Sequence, residues 1–280
     1  MTHPAVRVRG LRKTYGAHEA VRGIDFEIHA GEVFGLLGPN GAGKTTTVEI
    51  LEGYRERDAG DVEVLGEDPQ RAGTKWRERI GVVLQSSSLY PLLSVRESLA
   101  TFAGYYASSR DVDEVISVVG LDDKRDARVR TLSGGQKRRL DLGLALVGDP
   151  DVIFLDEPTT GFDPGARRTA WETVRSLREL GKTILLTTHY LDEAEQLADR
   201  VAVLREGEIV REGAPTELTG GAVEAEIRFR RNGDLVVERT TEPTRRLHDL
   251  TREALERGEE LEALEVRRPT LEDVYLELTE

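Results

Sequence analysis

The sequence predicts an α/β fold in which a mainly parallel sheet is covered on both faces by helices and is followed by a small α+β domain. Short, continuous apolar runs alternate with stretches of helical spacing, and this alternation is typical of parallel sheets. The chain has 280 residues, of which 38% are hydrophobic and 32% charged, a composition that fits a globular chain with a core. No apolar run approaches the roughly 18 residues that cross a bilayer.

Each element follows from a local pattern, taken in chain order. Val6–Arg9 alternates apolar and charged residues, which predicts an exposed strand. Glu32–Leu37 is largely apolar and stops at a Gly-Pro-Asn-Gly turn, which predicts a buried strand and then a helix from Gly43 to about Gly53. The same pattern predicts further buried strands at Ile80–Leu84, Val152–Leu155, Thr183–Leu186 and Val201–Leu204. Helical spacing predicts helices at Val95–Tyr106, Val112–Val119, Gly134–Val147, Ala166–Leu180 and Leu191–Ala198.

The pattern changes at Gly220-Gly221, which indicates a first domain at 1–220 and a second at 221–280. Strand, turn and helix signals continue beyond this point, so the second domain is expected to be folded. Its predicted elements are a hairpin (Ala225–Phe229 and Leu235–Glu238, turning at Asn232-Gly233), a helix from about Pro243, a strand at Leu264–Val266 and a last helix from Thr270.

Composition excludes several classes of function. The chain has no Cys, which rules out a disulfide scaffold, a thiol nucleophile and Cys-ligated metal sites. The formal net charge of −13 argues against general affinity for nucleic acid, because duplex binding depends on a basic surface. We therefore expect no nucleic-acid partner.

A phosphate-binding loop is predicted between the first buried strand and its helix, where the chain fits G-x-x-x-x-G-K-[ST]. The glycines let backbone N–H groups curl around a phosphate, the helix N-terminus adds its positive dipole end, and Lys44 adds a mobile charge. A Gly-rich turn with a solvated lysine is the alternative, and the flanking strand and helix argue against it. The residues predicted to bind the nucleotide here are Gly38, Pro39, Asn40, Gly41, Ala42, Gly43, Lys44, Thr45 and Thr46.

Two carboxylates, Asp156 and Glu157, end a second buried strand at the edge where open parallel sheets bind ligands. Asp156 is suited to hold Mg²⁺ together with the Thr45 hydroxyl, and Glu157 to orient or deprotonate a water that attacks the γ-phosphate. Alone, such a strand end is ordinary. Combined with the phosphate-binding loop it predicts nucleotide hydrolysis.

A pentapeptide before the helix at Gly134–Val147 narrows the class of NTPase. Leu132 is followed by Ser133, Gly134, Gly135 and Gln136, where Ser133 and Gln136 also fit a helix capping box. Two glycines weaken a helix start, yet they suit backbone N–H groups that approach a phosphate closely. The sequence here resembles the ATP-binding cassette (ABC) family, whose signature motif is this pentapeptide. The resemblance covers about Val6 to Glu217 and implies a P-loop NTPase fold with an antiparallel β subdomain and a helical subdomain at about 86–150.

Four further positions match motifs of the family in the expected order. Tyr15 matches the aromatic residue that stacks on adenine, and Gln85 matches the glutamine that reaches Mg²⁺ and water. Asp163 matches the aspartate that lies at the dimer interface, and His189 matches the histidine that contacts the γ-phosphate. Taken singly, each has an ordinary interpretation as a surface or structural residue. Their order along the chain favours the functional one.

The resemblance implies an ATPase that works as a homodimer, with each ATP and its Mg²⁺ held between the loop of one copy and the signature motif of the other. It also implies a separate multi-span membrane permease as partner, so the chain is expected at the cytoplasmic face of a membrane. The ending Arg267–Tyr275 is similar to ATP-binding subunits of ABC-2-type exporters, especially the daunorubicin/doxorubicin-resistance type, which suggests efflux of a drug or lipophilic compound.

Two other functions stay open at this point: a soluble ABC ATPase acting on ribosomes or nucleic acid, and a nucleotide-binding regulator without turnover. Within Gln85–Leu99, which resembles the part of the family that grips permeases, four apolar residues admit two interpretations. They pack in the subdomain's own core or form the docking groove. These residues are Leu89, Tyr90, Leu92 and Leu93.

Overall fold

The computed structural model describes residues 3–84, 89–219, 225–231, 233–267, 271 and 275. The chain forms two compact units, residues 1–212 and residues 213–280. The prediction divides the chain at 220/221, and one short helix lies between that position and the boundary of the compact units.

The strands of the first unit are β1 (Val6–Tyr15), β2 (His18–Ile28), β3 (Val33–Leu37), β4 (Ala59–Val64), β5 (Ile80–Val83), β6 (Val152–Asp156), β7 (Thr183–Thr188), β8 (Arg200–Arg205) and β9 (Glu208–Gly213), the last ending at the boundary. Its helices are α1 (Lys44–Leu51), α2 (Thr74–Arg77), α3 (Val95–Ala103), α4 (Val112–Val118), α5 (Gly134–Leu146), α6 (Pro164–Glu179) and α7 (Leu191–Leu197). The second unit contains α8 (Pro215–Leu218), β10 (Ala225–Arg231), β11 (Asp234–Thr240), α9 (Pro243–Arg257) and β12 (Glu262–Arg267).

A six-stranded sheet in the order β5-β6-β7-β3-β8-β9 organises the first unit, and its first five strands pair in parallel, which confirms the predicted fold class. The register aligns the carboxyl ends of three neighbouring strands. Leu37 of β3 lies beside Thr188 of β7, and Asp156 of β6 lies beside Thr187. The segments that follow these strands therefore leave the sheet at one edge, although they are far apart in sequence.

The apolar runs of the central strands divide between two cores, because successive strand residues point to opposite faces. Phe154 of β6 joins the core shared with α1 and the antiparallel sheet, whereas Ile153 and Leu155 join the core shared with α3, α4, α5 and α6. Burial on both faces explains why these strands are continuously apolar rather than alternating.

A separate three-stranded antiparallel sheet, in the order β2-β1-β4, covers one side of the first unit. The family resemblance implies such a subdomain, but the local pattern predicts only the first four residues of β1. Shifts of register interrupt the pairing of β1 with β2, and Gly23 lies inside β2 at a φ of +87°. Irregular pairing of this kind blurs the period-two pattern on which a sequence prediction of strands depends.

The second unit contains a three-stranded sheet in the order β11-β10-β12, with Ile227 and Phe229 of β10 packed against Leu250 of α9. This agrees with the predicted hairpin, helix and strand, with β12 starting earlier than expected. The last predicted helix, from Thr270, falls mostly outside the described residues. Within the described ranges, no helix is long and apolar enough to span a bilayer.

Candidate nucleotide-binding site

The loop between β3 and α1 is held tightly by its own backbone. The Gly38 N–H donates to the carbonyl of Thr188 at 3.4 Å, and the Ala42 N–H donates to the carbonyl of Pro39 at 3.2 Å. Gly43 has a φ of +104°, and a Cβ there would stand 2.4 Å from the Ala20 carbonyl oxygen. Gly41 also has a positive φ, but a Cβ there would meet nothing within 4 Å, so this loop opens onto free space. The loop therefore presents backbone to a cavity, as a phosphate cradle requires.

Helix α1 begins at Lys44, directly after the loop, and no side chain caps its N-terminus. No acidic residue lies in its first turn. The Lys44 ammonium donates to the carbonyls of Gly38 at 2.7 Å and Pro39 at 3.1 Å, and the residue is only 5% exposed. Burial lowers the pKa of Lys44, while the nearby Glu157 and Asp156 carboxylates oppose that shift. A buried cation beside uncapped helix N–H groups favours an anion at this position.

Asp156 joins the loop to the strand edge. One of its carboxylate oxygens accepts a hydrogen bond from the Thr187 hydroxyl at 2.5 Å, and the other lies 3.4 Å from the Thr45 hydroxyl. Carboxylate and hydroxyl oxygens are hard donors that suit Mg²⁺. No group of three or more His, Cys, Asp or Glu residues that could hold a metal occurs in the described part of the chain. The donor set fits a Mg²⁺ ion that takes its other ligands from phosphate and water.

Glu157 has a φ of +44°, which a residue with a Cβ rarely adopts. Its N–H donates to the Thr187 hydroxyl at 2.9 Å, and the Thr160 hydroxyl donates to its carboxylate at 3.1 Å. The other carboxylate oxygen lies 3.8 Å from the Lys44 Nζ and 3.3 Å from the His189 Nδ1. These contacts hold the mostly buried Glu157 carboxylate between the Lys44 ammonium and the His189 ring at the edge of the sheet.

His189 follows β7 and lies over the same edge. Its ring lies 4.1 Å from that of Tyr190, between ring centroids, and its Nδ1 is buried without a hydrogen-bond partner of good geometry among the described residues. A buried ring nitrogen left unsatisfied is costly unless a further group completes it. The geometry thus places the Nδ1 of His189 against the Glu157 carboxylate, and Glu157 is the residue of this pair that lines the cavity.

A cavity of about 430 Å³ opens in front of the loop. Tyr15, 39% exposed at the end of β1, lines it with its ring near Lys13 and Arg55. His18 and Ala20 of β2 also line it, and neither was among the residues predicted for the site. The sequence around these two residues shows no regular strand pattern, so β2 was not predicted and its residues were not placed at the site. The other lining residues are Asn40, Gly41, Gly43, Lys44, Thr45, Thr46 and Glu157.

The signature motif does not line this cavity. The Ser133 hydroxyl accepts from the Gln136 N–H and the Ser133 N–H donates to the Gln136 side-chain oxygen, so the predicted capping box is present. Gly134 faces open space, and a Cβ on Gly135 would lie 3.4 Å from the Cβ of Ala166 at the start of α6. Asp163 likewise caps its own helix, α6, and does not line the cavity. Gln85, predicted to reach the metal, lies outside the described residues.

Comparisons with known proteins agree on one family. A family model described as ABC transporter matches residues 21–160. The chain is 46% identical over 232 residues to Nod factor export ATP-binding protein I of Paraburkholderia xenovorans (strain LB400), covering 81% of this chain and 76% of that protein. It is 40% identical over 304 aligned positions to the protein of the same name from Rhizobium sp. (strain N33), covering 100% and 98%.

Among solved structures, the dimeric post-hydrolysis state of the ATP-binding cassette MJ0796 with bound ADP and Pi aligns at a TM-score of 0.66 and 26% identity, covering 75% of this chain and 98% of that one. Sequence, fold and the arrangement of the loop and carboxylates thus agree: the chain belongs to the ABC transporter family and is an ATP-binding, ATP-hydrolysing member of it.

Proposed function

We propose that this protein is the ATPase subunit of an ABC-2-type exporter, that it dimerises around two Mg²⁺-ATP and that it drives a separate membrane permease. The observation that carries the proposal is the convergence of Lys44, Asp156, Glu157 and His189 on one sheet edge next to the loop. Lys44 begins α1, Asp156 and Glu157 stand at the end of β6, and His189 follows β7, so this cluster is a product of the fold.

The metal and phosphate roles follow from the chemistry of the side chains. Lys44 and the uncapped N–H groups of α1 bind the phosphates, and Thr45 and Asp156 hold Mg²⁺. When bound, Mg²⁺ neutralises charge on the phosphate oxygens. Gln85, in the segment after β5, is proposed as a further ligand of the metal and of water. Tyr15, at the cavity wall, is proposed to stack on adenine.

Hydrolysis requires a water to attack the γ-phosphate, and Glu157 is proposed as the group that orients this water and accepts its proton. The Glu157 side chain is 10% exposed, which limits its hydration, and the residue lines the cavity. His189, 3.3 Å from that carboxylate through Nδ1, is proposed to contact the γ-phosphate and to stabilise the charge that develops there.

The second copy supplies the rest of the site in this proposal. Ser133, Gly134, Gly135 and Gln136 do not line the cavity of their own chain, and Gly134 faces open space. The uncrowded N-terminus of α5 suits a phosphate held by another chain, while Asp163 lies at the contact between copies. The dimeric state of the MJ0796 cassette with ADP and Pi supports this arrangement by analogy.

Coupling to a permease is supported by a second, larger cavity of about 980 Å³, here called the docking groove. Among its lining residues, the apolar ones include Leu84, Leu89, Tyr90 and Phe102 and the carboxylates are Glu49, Glu52 and Asp141. Leu89 packs partly on the core and also lines the groove, whereas Tyr90 lines the groove and is 54% exposed, so Tyr90 is the residue that supports docking most directly. These three carboxylates outnumber the one basic residue in the groove's lining, Arg77, and this excess favours a permease segment with an apolar face and a basic residue. The relatives are Nod factor export ATP-binding proteins, and this favours export over a role at ribosomes.

The test is Glu157→Gln in the full chain, with Lys44→Ala as its counterpart. Glu157→Gln removes the proton acceptor, so we expect phosphate release to fall by about 100-fold or more while ATP now holds the dimer together in size-exclusion chromatography. Lys44→Ala removes a charged phosphate contact, so nucleotide affinity should fall by about 10-fold or more. Hydrolysis by Glu157→Gln at the rate of the unchanged chain would exclude Glu157 as the base. Phosphate release that is absent from the unchanged chain would favour a regulator without turnover.

A further inference from the structure

One buried arginine joins three parts of the first unit. Arg138 lies on α5, five positions after Ser133, and is 7% exposed. Its Nε donates to the carbonyl of Pro158 at 3.0 Å and its Nη2 to the carbonyl of Asp156 at 3.0 Å. Its Nη1 donates to the carbonyl of Leu84 at the end of β5. All three nitrogens of the guanidinium are therefore engaged with backbone carbonyls.

Two of these carbonyls stand on either side of Glu157. The Asp156 carbonyl precedes it and the Pro158 carbonyl follows it, so one planar side chain holds the peptide groups around a residue whose φ is +44°. A left-handed conformation is strained for a residue with a Cβ, and such strain persists only where the surroundings enforce it. The Thr187 hydroxyl, which accepts the Glu157 N–H, holds the other side.

The burial of the charged Arg138 guanidinium is a second feature that points to a role. Burial lowers the pKa of Arg138, while the carboxylates of Asp141, Asp156 and Glu193 oppose that shift. A buried guanidinium costs free energy unless every donor is satisfied, and here neutral carbonyls supply most of the acceptors. Only a side chain with several donors in one plane can span the three carbonyls at once.

We propose that Arg138 is a positioning residue: it holds Glu157 in the left-handed conformation that aims its carboxylate at the cavity, and it ties that conformation to the signature helix α5. The inference rests on the proposed function, in which Glu157 is the base. It adds a physical link between two sites of the dimer. The helix that positions the base of one site is the same helix whose first turn faces the ATP bound by the other copy.

Arg139 offers a matched control. It is the next residue on α5 and also donates to backbone carbonyls, those of Val119 at 3.4 Å and Gly120 at 2.5 Å. Neither carbonyl belongs to the loop or to the segment around Glu157. Arg139→Gln therefore removes a similar charge and similar hydrogen bonds from the same helix without touching the proposed base.

The experiment compares Arg138→Gln, Arg138→Lys and Arg139→Gln in the full chain by phosphate release, by binding of a fluorescent ATP analogue and by thermal unfolding. We expect Arg138→Gln to lower kcat by about 10- to 100-fold with analogue affinity within about 3-fold, since a shift of about 1 Å in a catalytic group has effects of this size. Arg138→Lys, which keeps one donor cation, should recover part of the rate, and Arg139→Gln should keep kcat within about 2-fold. If Arg138→Gln does not fold, Arg138→Lys carries the comparison, with an expected loss of about 10-fold.

A double variant separates positioning from general damage. If Arg138 acts through Glu157, adding Arg138→Gln to Glu157→Gln should change the residual rate by less than about 2-fold, because the group being positioned is already gone. Independent, multiplied losses would overturn the inference, as would an Arg138→Gln chain with the kcat of the Arg139→Gln chain. Normal hydrolysis by Glu157→Gln alone would instead overturn the proposed role of Glu157, so the two failures are distinguishable.

Discussion

At the scale of single residues, Glu52 is a carboxyl outside the nucleotide-binding site whose pKa is strongly raised. It caps the C-terminus of α1 and lines the docking groove. Burial raises the pKa of its carboxyl to about 8, and the nearby carboxylates of Asp156 and Glu49 add to the shift. Its neutral form is therefore favoured at neutral pH in the folded chain, unless a cation enters the groove beside it.

The raised pKa predicts a pH-dependent loss of stability that Glu52→Gln should remove. The folded chain keeps this proton up to a pH of about 8, whereas the unfolded chain releases it near 4.5. The stabilisation that the protonated Glu52 gives the folded chain is thus complete below pH 4.5 and is lost as the pH rises toward 8. The free energy of unfolding falls by up to about 1.4 kcal/mol per pH unit in this window. In urea unfolding, the stability of Glu52→Gln relative to the unchanged chain should increase with pH across this window.

Glu56→Gln is the control for that measurement, because Glu56 lies on the same segment but is exposed. It should give an equal difference in unfolding free energy at pH 5 and pH 8. A Glu52→Gln chain that keeps the pH slope of the unchanged chain would contradict the burial argument.

At the scale of elements, two helices of the first unit begin with the same capping box. Ser94 caps α3 with Glu97 as its reciprocal partner, and Ser133 caps α5 with Gln136. Each cap satisfies two backbone N–H groups that the helix leaves unpaired. The starts of α3 and α5 thus share the same capping chemistry. The two glycines after Ser133 are the feature that sets the start of α5 apart from that of α3.

This pair of caps predicts a separation of stability from function. Ser94→Ala and Ser133→Ala should each lower the free energy of unfolding by about 1 kcal/mol, since each removes one cap. Only Ser133→Ala should also weaken ATP-driven dimerisation, measured by size-exclusion chromatography in the Glu157→Gln background. Equal dimerisation of the two variants would limit Ser133 to its capping role.

At the scale of the whole molecule, the nucleotide cavity and the docking groove both border the sheet edge after β5 and β6. Leu84 lines the groove, and its carbonyl accepts from Arg138, whose other donors hold the segment around Glu157. A ligand that displaces Leu84, directly after β5, would therefore act on Arg138, which is hydrogen-bonded to the backbone on both sides of Glu157. Such a contiguous path gives the proposed coupling between permease and hydrolysis a physical carrier.

If the proposed permease docks in the docking groove, a charge placed in the groove should weaken binding of the chain to membranes that contain the permease, without loss of hydrolysis. Tyr90→Glu introduces a carboxylate into an already acidic groove and should reduce, by about 10-fold, the fraction of the chain that sediments with membranes of the native host. Tyr105→Glu is the matched control, because Tyr105 is 72% exposed and does not line the groove. Phosphate release should be unchanged in both. Equal sedimentation of the two variants would argue against docking at this groove.

The sequence predicted the fold class and the family, and individual strands less evenly. The loop Gly38–Thr45 and the pair Asp156-Glu157 can be identified from the sequence because each motif is contiguous and its spacing reflects local geometry. The strand β2 was missed because register shifts and an internal glycine remove its alternation. His18 was missed with it, although it lines the nucleotide cavity.

By itself the sequence determined the alternation of buried strands and helices, the phosphate-binding loop and the order of the family motifs, because these depend on neighbours within a few residues. Only the tertiary structure decided which distant residues meet. Parallel pairing of β3, β6 and β7 aligns strand ends at Leu37, Asp156 and Thr188, which are well separated in the sequence, and this brings Lys44, Glu157 and His189 together. The left-handed backbone of Glu157 and its support by Arg138 likewise follow from packing between elements, which no local pattern encodes.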